Sequence, residues 1–222
     1  NTSGGDIELY AKKFLTLGAD VTAEDDIEFW ANQGIIVDSS VTAGDRIKLG
    51  TCGDLETTVN APLIAGGDIE LYAKRSITVG ADLVAGDDVW VRSECGDVLI
   101  NGSVESGDRL DVCAGRHLFI SAPLQAGDDL DLYAKGTLKS INELATLTAG
   151  KDVILRTCRG DIELFGAITA GAGYTPCNSK HWRCSHQEKP DVVINSGGAV
   201  RLHGAVTSPD DVIISAWGDI EV

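Results

Sequence analysis

The chain has 222 residues, with 34 Asp and Glu against 18 Lys and Arg and a formal charge of -16. That balance argues against nucleic acid or anionic lipid as the main partner, because both reward basic surfaces. Hydrophobic residues reach 43% while aromatics are only 5%, so the core is expected to be aliphatic, and a chain this apolar and patterned is not disordered. No run of 18 apolar residues occurs, so no helical membrane insertion is expected.

In chain order, Gly4-Gly5-Asp6 leads into Ile7-Glu8-Leu9-Tyr10-Ala11, whose strict alternation is the period of a half-buried strand. A second short strand follows at Leu15-Thr16-Leu17 and a third at Val21-Thr22-Ala23, after which acids turn the chain into the next unit. Units start again at Glu24, Gly44, Gly66, Gly86, Gly107, Gly127, Gly150, Gly171 and Pro209. Gly recurs too often for helices, and β-branched residues dominate. A single unit cannot bury its apolar side alone, but stacked units can. The sequence therefore predicts an all-β fold, a right-handed three-sided β-helix of about 10 coils of about 20 residues each. It is expected to form one domain over 1–222, with a disulfide-bearing loop inserted at 172–190 in the ninth coil. The phrase GGDIELYAK at Gly4 to Lys12 returns at Gly66 to Lys74 and, as GDDLDLYAK, at Gly127 to Lys135, so the duplicated unit is three coils.

The phrase from Ala65 to Ala73, followed by a β-branched strand and a Val-Thr-Ala close, resembles the filamentous-haemagglutinin type of β-helix repeat of large secreted bacterial adhesins. The resemblance covers 4–170 and, more weakly, 196–222. It implies a right-handed β-helix displayed outside the cell and transfers no active site. The chain contains no Met, not even at its start, which leads to the expectation of a processed product or excised segment. Six Cys point the same way, to an extracellular or cell-surface location.

The acids recur at one corner, Asp26, Asp68, Asp88 and Asp129 among them. Asp caps turns through its own backbone, and the same oxygens are weak candidates for calcium. Arg46, Arg109 and Lys151 interrupt the column where they would relieve like-charge repulsion. Outward aromatics Tyr10 and Trp30 either pack on each other or meet a partner. The 172–190 segment carries Cys177, Lys180, His181, Trp182, Arg183 and Cys184, a basic cluster suited to the acidic face of a neighbouring molecule. Cys95 and Cys113 fall in adjacent coils and are candidates for a bridge. Cys52 and Cys158 lie five coils apart, too far to bond within one rod; Cys158 is a candidate partner for the loop, and Cys52 is either a free thiol or bonded to another subunit. Trp217 and Ile220, in the last coil, are interface candidates beside Tyr10 and Trp30.

No G-x-S-x-G, H-E-x-x-H or phosphate-cradling motif is present, so no catalytic residue is named and no enzyme activity is expected. Two functions fit these residues. One is a structural subunit that self-associates head to tail into a surface filament, or the shaft of an adhesin. The other is a β-helix that binds or cleaves carbohydrate, with a host surface or polysaccharide as partner.

Overall fold

The computed structural model describes residues 2–53, 57–171 and 192–222. Every regular element in them is a strand. The strands form three parallel sheets of ten strands each, in which every neighbour comes from the adjacent coil. Sheet A runs from Thr2–Ser3 through Val21–Ala23 to Val206–Thr207, sheet B from Ile7–Ala11 through Ile27–Ala31 to Val212–Ala216, and sheet C from Phe14–Leu17 through Gly34–Val37 to Ile220–Glu221. The chain is thus a three-sided β-solenoid of ten coils.

Alternation and register together build the core. Ile69–Ala73 buries its first, third and fifth residues, and the sheet-B pairing Ile27↔Ile47↔Ile69↔Val89 places like residues directly above one another. Each sheet is wholly parallel, so successive coils add the same apolar columns at about 4.8 Å per step. Phe29, Ile47, Leu71, Leu110 and Leu132 are buried in sheet B. Burying each large aliphatic side chain contributes about 1.5–3 kcal/mol before chain entropy is set against it.

At the first residue of the corner between sheets A and B, the coils from Gly44 to Gly171 approach too closely for a side chain. A Cβ on Gly66 would stand 2.1 Å from the Gly44 carbonyl oxygen, and one on Gly127 would stand 1.7 Å from that of Gly107. No described residue has a positive φ. Glycine is required here by contact between stacked coils and not by backbone dihedral.

The corner between sheets B and C varies in length, and each longer corner follows an inward hydroxyl residue. Corners of ordinary length follow Ala31, Ala73, Ala114, Ala134 and also Ser196, whereas longer ones follow Thr51, Ser93 and Thr157. The Ser93 hydroxyl donates to the Arg75 carbonyl at 2.6 Å and accepts from the Gly96 N–H at 2.9 Å. Thr157 likewise donates to the Gly160 carbonyl at 2.6 Å. A longer corner turns backbone polar groups inward, and a hydroxyl satisfies them.

Candidate functional site

The acids of the corner between sheets A and B bind backbone. Asp26 Oδ1 accepts the Arg46 N–H at 3.1 Å, Asp68 that of Asp88 at 3.1 Å, Asp88 that of Arg109 at 2.8 Å, and Asp129 that of Asp152 at 3.4 Å. Where an acid stands, the column ties its turn to the next, and the ladder is interrupted at Arg46 and Arg109. Arg46 reaches Asp26 at 3.0 Å, and Lys151 reaches Asp128, as the interruptions of the column predict. Among the described residues no three of His, Cys, Asp or Glu come together as a metal-holding group.

Arg109 turns away from the column to the face of sheet B. It pairs with Asp111 at 3.2 Å and Asp131 at 3.4 Å, and Arg156 reaches Asp131 at 2.6 Å. Asp111 and Asp131 are direct neighbours on the sheet, with Trp90 beside Asp111. Asp131 is buried, and its Oδ1 has no hydrogen-bond partner. Burial, and then the charge of Asp131, push the Asp111 carboxyl above its ordinary range. This acid pair was missed by sequence reasoning, because Asp111 and Asp131 fill the slot that holds Glu8, Glu28 and Glu70 in other coils.

Trp30 does not stand free on this face. Its ring lies over Gly50, where an added Cβ would meet ring carbons at 2.2 Å, and its indole N–H donates to Glu28. Its half-buried position comes from local packing. Tyr10 remains 67% exposed. Tyr72, next after Gly50 in the same column, gives its hydroxyl to Glu94, and its phenol is pushed up to about 12.

The corner between sheets B and C has the opposite charge. It carries Lys12, Lys13, Lys74, Arg75, Arg116, Lys135 and Arg159, all exposed, against Glu94, Asp97, Asp161 and Asp219 among the described residues. Arg116 pairs with Asp97, and this hydrogen bond holds the Asp97 carboxyl below its ordinary range. Charge is therefore sorted by corner, with acids on one side of sheet B and bases on the other.

The Cys95–Cys113 expectation needs correction, whereas Cys52 fits its free-thiol reading. Cys52, Cys95, Cys113 and Cys158 are all free thiols. Cys113 aligns with Arg92, three residues before Cys95, so one thiol sits on the sheet face and the other on the corner. Adjacent coils are not enough for a bridge, since the two residues must also share a slot. Burial raises the Cys113 thiol. Cys52 and Cys158 follow Thr51 and Thr157 at equivalent corner positions, five steps apart in the sheet order. Cys158 lies beside the Tyr133 hydroxyl, and the loop cysteines expected as its partners lie outside the described residues. Cys177, Lys180, His181, Trp182, Arg183 and Cys184 lie outside the described residues.

The final coil is the most exposed part of the stack. Trp217 is 94% exposed and Ile220 50%. A shallow cavity of about 240 Å³ lies beside Trp217, lined also by Thr157, Cys158, Asn195 and Ser196. Phe14 and Tyr10 are exposed on the first coil. Comparison with protein-family models, with curated proteins and with solved structures finds no match.

Proposed function

We propose that the chain is a structural β-solenoid of the filamentous-haemagglutinin type, wound right-handed and working outside the cell. It serves as the subunit of a head-to-tail surface filament or as the shaft of an adhesin. In this reading the chain does no catalysis. The continuity of the columns carries the reading. Val212, Ile214 and Ala216 end the sheet-B columns that begin with Ile7, Leu9 and Ala11. A further coil or a second copy added at either edge meets residues of its own kind. It also pairs the edge backbone of all three sheets, and open parallel edges of this kind are templates for added strands. A head-to-tail contact is heterologous and propagates without closing.

Electron microscopy of the untagged protein at neutral pH, with and without reductant, tests this. Filaments with an axial repeat near 48 Å, ten coils at about 4.8 Å each, are the expected result. Isolated short rods under both conditions would overturn self-assembly, and the shaft role would then stand alone.

A further inference from the structure

We infer that rods of this chain also pack side by side, the basic corner between sheets B and C of one molecule lying against the acidic corner between sheets A and B of the next. The ligand of each corner is a second copy of this chain. This goes beyond growth at the ends of the stack, because it uses the flanks.

Three observations lead to it. First, the two corners border the same sheet, so sliding one molecule sideways along sheet B brings its basic corner to its neighbour's acidic one. Second, both corners step at about 4.8 Å per coil, so a neighbour displaced by two coils along the rod sets Lys135 and Arg159, after the seventh and eighth sheet-B strands, at the height of Asp87 and Asp108, before the fifth and sixth. Third, each corner retains charges that no internal partner neutralises. Asp25, Asp45, Asp87 and Asp108 are exposed on the acidic side, and Lys12, Lys13, Lys135 and Arg159 on the basic side. Among the described residues none of these eight takes part in an ion pair.

A linear polyanion would meet the same cations, but it would also meet Glu94, Asp97 and the field of a body with charge -16. The acidic corner of a second copy is oriented, and its own basic corner faces away toward a third molecule. The contact is therefore heterologous, and it repeats into a flat array of parallel rods with sheet B on one face throughout.

Sedimentation and small-angle scattering of the whole protein, which report particle width, test the inference. At about 0.05 M salt the wild type is expected to form particles at least two rods wide. At about 0.5 M, where the Debye length is well under ~8 Å, single rods are expected. Two surface variants are compared, K12E/K13E/K135E/R159E and D25K/D45K/D87K/D108K, each checked for an unchanged β spectrum. Each alone is expected to stay one rod wide at low salt, and an equimolar mixture is expected to recover wide particles, because each then offers the other an opposite corner. Single rods of wild type at low salt, wide particles in either variant alone, or no recovery on mixing would overturn the inference. So would single wild-type rods that bind dextran sulfate through the four substituted cations, since the corner would then serve a polyanion. End-to-end growth lengthens particles at constant width, whereas flank packing widens them, so failure of this inference and failure of filament formation are read separately.

Discussion

At position 50 the lack of a side chain is what seats an indole. Trp30 covers the backbone of Gly50 from the preceding coil, so the two residues form one packing unit on an otherwise polar face. Replacing Gly50 by Ala is expected to lift the ring and cost about 1 kcal/mol, with a red shift in the tryptophan emission. The same substitution in a Trp30→Ala background is expected to cost nothing, and the double-mutant cycle in urea measures that coupling. Two carboxylates give opposite pH slopes. Asp111 is raised, so the folded state holds its proton more tightly than the unfolded chain does. Its charged form therefore costs stability above the folded pKa, and that cost fades as pH falls through it. Asp97 is lowered, so it stabilises above its unfolded pKa, and that contribution is lost as pH falls through the folded value. Asp111→Asn is expected to raise the melting temperature by a few degrees at pH 7, with a gain that shrinks toward acid. Asp97→Asn is expected to lower it, with a loss that shrinks over the same range. Melting curves between pH 3 and pH 7 check both signs. That the repeated acids serve the turns was legible in the sequence, because each sits at the same point of its unit, but that each holds an N–H of the next coil and not of its own turn was not. The packing of Trp30 and the Asp111–Asp131 pair were not, because both depend on what a neighbouring coil places in the same slot.

Single coils follow one rule for the three strands and another for the corners. Alternation fixed which residues face inward, and the sequence reading of three strands per coil agrees with Ile69–Ala73, Ile77–Val79 and Leu83–Ala85. The corners were harder to read. Ser93 and Thr157 look like ordinary polar substitutions in an alanine column until the longer corner after each is seen to direct backbone groups inward. The same limit explains the Cys95–Cys113 expectation, in which coil number was read correctly and slot was not. Ser93→Ala removes the group that joins the Arg75 carbonyl to the Gly96 N–H. It is expected to cost about 1–3 kcal/mol, because one buried and one part-buried backbone group lose their partner. Ser93→Thr keeps the hydroxyl and is expected to recover most of that loss. Urea denaturation of the two variants separates the hydrogen bond from the volume change.

For the whole molecule, the repeat of three coils is a mechanical statement as well as a record of duplication. Each coil contacts only its neighbours, so stability is close to a sum over coils and their interfaces. A block removed in phase should leave a shorter rod that still folds. Deleting 66–126 joins Ala65 to Gly127 and sets the third coil against the seventh. Ile47 then meets Leu130, and Leu49 meets Leu132, each an apolar pair of the kind already in its column. Gly127 meets Gly44, which preserves the close corner contact that forbids a Cβ. Lys48, which pairs with Glu70 at 2.7 Å, finds Asp131 in the same slot. The shortened protein is expected to keep its β spectrum and cooperative melting, and to lose about 14 Å of length, three steps of about 4.8 Å, as measured by small-angle scattering. Deleting 66–116 removes fewer residues but joins the end of a sheet-A strand to the start of a sheet-C strand. That rod lacks a sheet-B strand at the junction, leaves the neighbouring columns open to water, and is expected not to fold. If the larger deletion unfolded and the smaller one survived, the coil would not be the unit of stability, and the duplicated triplet would have no structural meaning.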